Sequence, residues 1–341
     1  MESRKHYIVG PVYDWLLFLS PPLVALAIGI ALSGSELSYA AVDIFGYETT
    51  VTEAGLGVLI HAHLVAVAFR SHANPDIFGR YPVRFVVVPL VLWLAIAASL
   101  WMAIIATVVA TFWDVWHSGA QTFGFGRIYD RNAGVPSHLG RRLDFWANQV
   151  LYAGPILAGV TLIDHVEVLD NFGDVEAAVF ERVPATVDSW QGPLAWFVIV
   201  AGTLVIGAFV LEHGRRWRAG LPSSPLKIYL VATTGLCSIY SWGLNSWGEA
   251  FLIMNLFHGV QYLGLVWASE RGRIRERFGL GKARGGQWWA LALFVGLVFG
   301  YGVFAQLLVG GGGSLWALTI VVSLMHFWYD GFVWSVRAKQ I

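Results

Sequence analysis

One cysteine, Cys237, stands in a chain of 341 residues. A single thiol excludes an internal disulfide framework, a thiolate-built zinc site and a four-cysteine iron–sulfur cluster. Charge is scarce too. Only 13% of residues are Asp, Glu, Lys or Arg, whereas soluble globular chains carry about a quarter. The chain also lacks a Gly-rich dinucleotide fingerprint between a strand and a helix, which disfavours a self-contained flavin or nicotinamide enzyme. No nucleic-acid partner is expected. Any resident metal must be held by His, Asp, Glu or neutral oxygen donors.

What is abundant is apolar sequence, 57% of the residues. The pattern predicts an all-α fold, a polytopic membrane helical bundle in one integral-membrane domain, 1–341. About ten spans are expected, near 15–33, 54–70, 83–103, 104–127, 143–163, 190–211, 226–244, 248–269, 287–308 and 315–336. The run from Val83 to Trp116 is too long for one span, and Arg84 and Arg127 flank it, which favours a hairpin. Met1–Tyr13, short and basic before Pro21-Pro22, predicts a retained N-terminus leading into the first span. With that N-terminus inside, every Lys and Arg except Arg182 falls on an inner segment. The positive-inside rule then places both termini in the cytoplasm of a multi-pass protein, expected in a bacterial cytoplasmic (inner) membrane. The outer segment 164–189 is acidic and has room for a short surface helix, and the inner segment 270–286 is a basic loop. Gly310–Ser314 resembles a flexible turn.

Histidines inside the apolar spans are the feature with chemical content. His61 and His63 lie in the second span, His117 in the fourth, His258 in the eighth and His326 in the tenth. Counted back from the inner Arg flanks, all stand about 10–20 Å from the cytoplasmic edge. Ionisable groups in lipid are costly and mark function by default. Each cluster has polar neighbours one turn away: Asp114 and Gln121 around His117, Asn255 and Gln261 around His258, Asp330 after His326. Asp114 and Asp330 are the acids expected within the membrane core. His61 and His63 point about 200° apart on a regular helix, so one of them ligates, or the pair bridges two metals. His6, His138, His165 and His213 are expected to be ordinary surface residues.

Imidazole plus carboxylate without thiolate suits non-haem iron, zinc or copper. The expected metal set is His117, His258 and His326 with His61 or His63, and Asp330 as ligand or orienting group. Asp114, Gln121 and Gln261 would surround it, and Tyr329, with Trp113, Trp116 and Trp328, would line a substrate cavity. Non-haem iron, as one ion or two, is the expected cofactor, with zinc, copper and haem as alternatives. The expected activity is a metal-dependent oxidoreductase (hydroxylase, desaturase or dioxygenase) acting on a lipid or other hydrophobic substrate within the bilayer. An electron-donor protein or quinone would supply electrons where the reaction needs them. A haem electron-transfer protein and a proton-coupled transporter remain open alternatives.

The segments WHSGAQTFGFGRIYDR, FHGVQYLGLVW and MHFWYDGFVW carry these intramembrane histidines. In that arrangement the chain resembles the histidine-rich membrane oxygenases and desaturases and, more loosely, the Brp/Blh carotenoid-cleaving membrane proteins. The resemblance implies a helical membrane enzyme with iron-dependent oxidation chemistry. The chain departs from those patterns in having no HxxxH, HxxxxH or HxxHH box and no histidine in its first span.

Overall fold

The expected spans overlap helices without matching them one to one, because caps and prolines set the helix ends: 83–103 straddles a break and 143–163 runs past the end of a helix. The computed structural model describes residues 6–44, 47–167, 178–308 and 313–334. In chain order these form α1 (Pro11–Leu19), α2 (Pro21–Leu32), α3 (Glu36–Tyr39), β1 (Ala41–Ile44), β2 (Tyr47–Thr50), α4 (Val51–Ser71), α5 (Pro75–Phe78), α6 (Pro82–Ala98), α7 (Leu100–Asn132), α8 (Arg141–Ala158), α9 (Leu162–Glu167), α10 (Ala178–Arg218), α11 (Pro225–Leu244), α12 (Trp247–Arg277), α13 (Gly286–Leu308) and α14 (Gly313–Val333). Among the described residues, six helices are long and apolar enough to cross a membrane: α4, α7, α10 from Arg182, α12, α13 and α14 from Ser314. The α1–α2 pair, bent by 45°, makes a seventh if it is one span. The described residues are therefore all-α apart from one small ribbon, and the long apolar helices fit an integral membrane protein. Phe197 and Leu204 on α10 are each 70% exposed, as lipid-facing side chains are.

Local chemistry explains the breaks. α1 winds into a π-helical turn over Trp15–Leu19 before Pro21-Pro22. Proline lacks an amide hydrogen and crowds the preceding turn, which is where the pair bends. α4 opens on a capping box, with Thr50 Oγ1 accepting from the Glu53 amide and Glu53 Oε2 accepting from the Thr50 amide. The third and fourth expected spans divide at Ser99, which is extended (φ −141°), several residues before the expected break. Its hydroxyl accepts from the Met102 amide, the role of a helix N-cap that the apolar run concealed.

Two further expectations need correction. α12 runs through Arg277, so much of the expected basic loop is helix; Glu270 pairs with Arg273 one turn on, which favours continuation. His165 and His213 are buried, not surface residues. His165 bonds through Nδ1 to Thr161 O and packs edge-on to Trp242 and Trp247, and His213 bonds to Phe209 O. Residues 168–177 of the acidic segment, most of the Gly310–Ser314 turn and the final residues with Arg337 lie outside the described residues.

The chain divides into two compact units, Met1–Ala31 with Thr111–His258, and Leu32–Ala110 with Gly259–Ile341. In the first, α8 packs against α10 and α11. Its core gathers Ala25, Tyr152, Ile156, Cys237, Trp242, Ile253, Met254 and Phe257. Cys237 donates its thiol to Pro22 O, a structural role. Asp14 collects the amides of Ile8, Val9 and Gly10 and the Tyr129 hydroxyl, tying the start of the chain to α7.

In the second unit α4 packs against α13 and α14, and α14 against α6. Gly302 on α13 lies so close to the Val58 carbonyl that a Cβ there would collide with it. Small residues at such crossings allow close backbone approach where lipid supplies no hydrophobic drive. The β1–β2 ribbon is antiparallel, with Ala41 opposite Thr50 and Ile44 opposite Tyr47.

Candidate metal-binding histidines

Each unit brings two buried histidine rings from different helices together. In the first, His117 comes from α7 and His258 from α12, 6% and 2% exposed, with ring centres 5.4 Å apart and planes at 79°. Gln121, one turn beyond His117, donates its side-chain amide to His258 O at 3.2 Å. That bond ties the two helices at the level of the rings. α8 closes on the other side, where Gln149 donates to Trp116 O and its side chain fills the space beside Gly119. Asp114, one turn before His117, is half-buried on the same helix. Asn255 bonds Phe251 O within α12.

The second unit pairs His63 on α4 with His326 on α14, 1% and 0% exposed, with ring centres 5.1 Å apart. Their ring nitrogens come within 4.8 Å of one another. Gly259 makes room, since a Cβ there would already touch the His63 Cβ at 3.6 Å. His326 Nδ1 lies 3.1 Å from Leu64 O. A carbonyl only accepts, so Nδ1 carries the proton and Nε2 keeps the lone pair a metal requires. Nε2 points toward Asp330 Oδ2 at 3.8 Å.

Asp330 is itself fixed. Its Oδ1 accepts from the Tyr262 hydroxyl at 2.7 Å and from Trp334 Nε1 at 2.9 Å. The Tyr262 ring lies 4.6 Å from that of His326 and 6.1 Å from that of His63. Behind Trp334 the Arg70 guanidinium stacks at 4.7 Å. Arg70 pairs with buried Glu270, which also accepts from Asn74. A chain of contacts thus runs from Glu270 through Arg70, stacked on Trp334, to Asp330 and on to His326 at 3.8 Å.

The expected site residues divide accordingly. His117, Gln121 and His258 come together, His63 meets His326, and Asp330 stands beside His326. α4 is regular from Val51 to Ser71, so His61 points away from the His63 face and is half-buried there. Gln261 is fully buried on α12. Tyr329 turns from the histidines, donating to Arg84 O and packing on Phe85. Tyr262, Trp334 and Arg70 were not anticipated. Trp334 stands four residues after Asp330, a one-turn spacing that could have flagged it, whereas nothing in the sequence joins Tyr262 to Asp330.

No protein-family model, no curated protein and no solved structure matches the chain.

Proposed function

We propose that the chain is a membrane-embedded, metal-dependent oxidoreductase, a hydroxylase, desaturase or dioxygenase, acting on a lipid or other hydrophobic substrate. In this reading it is a multi-pass protein of about ten spans with both termini cytoplasmic, in a bacterial inner membrane. The observation that carries the proposal is the spacing within the two histidine pairs. Metal–nitrogen bonds are about 2.1 Å and an imidazole centre lies about 1.1 Å further on, so two rings on one ion at a tetrahedral angle stand about 5 Å apart. The pairs measure 5.4 and 5.1 Å. Axial ligation of haem would hold two ring centres about 6 Å apart on opposite sides of a wide planar group, which the spacing does not favour.

His117 and His258 would hold one ion and His63 and His326 a second, with Asp330 orienting His326. Non-haem iron fits imidazole–carboxylate donors without thiolate and would supply dioxygen activation. The remaining residues act on position and protonation. Leu64 O fixes the His326 tautomer, Tyr262 and Trp334 hold Asp330, and Gln121 holds the His258 backbone. A hydroxylase or desaturase would draw electrons from a donor protein or quinone, whereas a dioxygenase needs no donor.

The test is metal content in detergent-purified variants. His117→Ala and His326→Ala are each expected to lose about half the bound metal while keeping wild-type helicity. Full metal retention in both would overturn the assignment.

A further inference from the structure

Arg216, near the end of α10, is a buried cation with most of its donors unanswered. Its side chain is 3% exposed, and Nε donates to Glu212 Oε1 at 2.9 Å. Nη1 and Nη2, which carry four of the five guanidinium hydrogens, have no hydrogen-bond partner. Nη2 occupies the space that a Cβ on Gly140 would need.

Gly140 is the N-cap of the 18-residue helix α8, at φ 66°, with no side-chain cap. The amides of the first helical turn have no partner within their own helix and form the positive end of its dipole. A guanidinium aimed at that end is repelled by it unless an anion sits between them.

The nearby carboxylates are paired with other cations, although Asp130 Oδ1 has no hydrogen-bond partner. Asp144 is paired with Arg127 and Lys227 and lies 3.9 Å from His213 Nε2. Asp130 is paired with the same two cations. Arg141 and Arg142 are exposed beside the cap and add positive charge. Arg127 and Asp130 lie near the end of α7 and Lys227 near the start of α11, so these helix ends meet at one face of the unit.

We propose that the N-terminus of α8, with the Arg216 guanidinium, binds a phosphate oxyanion, from a phospholipid headgroup or from free phosphate. First-turn amides and a forked guanidinium suit tetrahedral phosphate oxygens, and the missing Cβ of Gly140 lets the guanidinium come up to the helix end. The site is independent of the histidine pairs.

The full chain in detergent is titrated with inorganic phosphate, with phosphatidylglycerol and with a neutral glycolipid, and bound species are read by native mass spectrometry. Saturable binding of one phosphate-bearing species per chain is expected, weakened about tenfold or more by Arg216→Gln. Binding of inorganic phosphate identifies free phosphate as sufficient, and binding of phosphatidylglycerol alone identifies a headgroup. Absence of saturable binding in the wild-type protein overturns the proposal, as does equal binding of the neutral lipid. Unchanged affinity in Arg216→Gln does so as well. Should that variant fail to fold, Glu212→Gln, which removes a competing negative charge, is expected to bind at least as tightly as wild type; weaker binding overturns the site.

Discussion

The two units handle buried charge differently. In the first, the Arg127–Asp130–Asp144–Lys227 network lies at the end of α7, and Asp130 is thirteen residues beyond His117 on the same helix. That distance is about 20 Å. In the second, the Arg70–Glu270 pair reaches the histidines through Trp334 and Asp330. One network fastens helix ends, and the other is continuous with the candidate metal ligands. A buried ion pair is a weak reason for stability in itself, but removing one partner leaves an uncompensated charge. The same kind of damage should therefore have different consequences in the two places.

Lys227→Met is the severest test of the first network, since it leaves Asp130 and Asp144 with Arg127 alone. It should destabilise the protein by about 3–5 kcal/mol in denaturant titration, while the fraction that remains folded keeps its metal. Arg70→Met should cost about as much in stability and also lower metal content, because Trp334 loses its stacking partner and Asp330 its orientation. Equal metal retention in these two variants would erase the distinction.

Tyr262→Phe sharpens the comparison at smaller cost. It removes one donor to Asp330 and should cost about 1–3 kcal/mol, with metal affinity falling about tenfold by competition with a chelator. The counterpart Gln149→Leu in the first unit, which loses a bond to the Trp116 carbonyl, should leave affinity unchanged.

The smallest effect concerns His165, outside the long apolar helices. Burial holds its pKa below the ordinary histidine value, partly offset by the bond to Thr161 O. A depressed histidine pKa means the unfolded chain takes up the proton first. Its contribution is therefore fully present above about pH 6.5 and is lost as pH falls from there toward the folded-state pKa. Thermal melts from about pH 7 to about pH 5 should show a shallower acid-side decline in His165→Phe than in wild type; an unchanged slope would show that His165 is not the group responsible.

Much of this was legible in the sequence where one helix carries the whole signal. Hydropathy marked each long helix, and i,i+4 spacing set Asp330 beside His326. The helix period also showed that His61 and His63 cannot share a face, although only packing revealed that His63 is the one meeting His326. Partners from distant segments left no local trace: Tyr262 on Asp330 joins α12 to α14, and Lys227 joins α11 to Asp130 and Asp144. Asp130 and Asp144 stand beside arginines at span ends, and nothing local marks them as buried. His165 stands in an acidic stretch that suggested exposure, but two tryptophans enclose it. Ser99 shows the opposite limit, where a single hydroxyl in a long apolar run decided a helix boundary.

The account rests most directly on the histidine pairs holding metal. The deciding measurement is a metal inventory with a visible absorption spectrum on freshly purified wild-type protein in detergent. The account predicts up to two iron ions per chain and no Soret band. A Soret band would mean haem, and a well-folded preparation without bound metal would contradict the catalytic reading altogether.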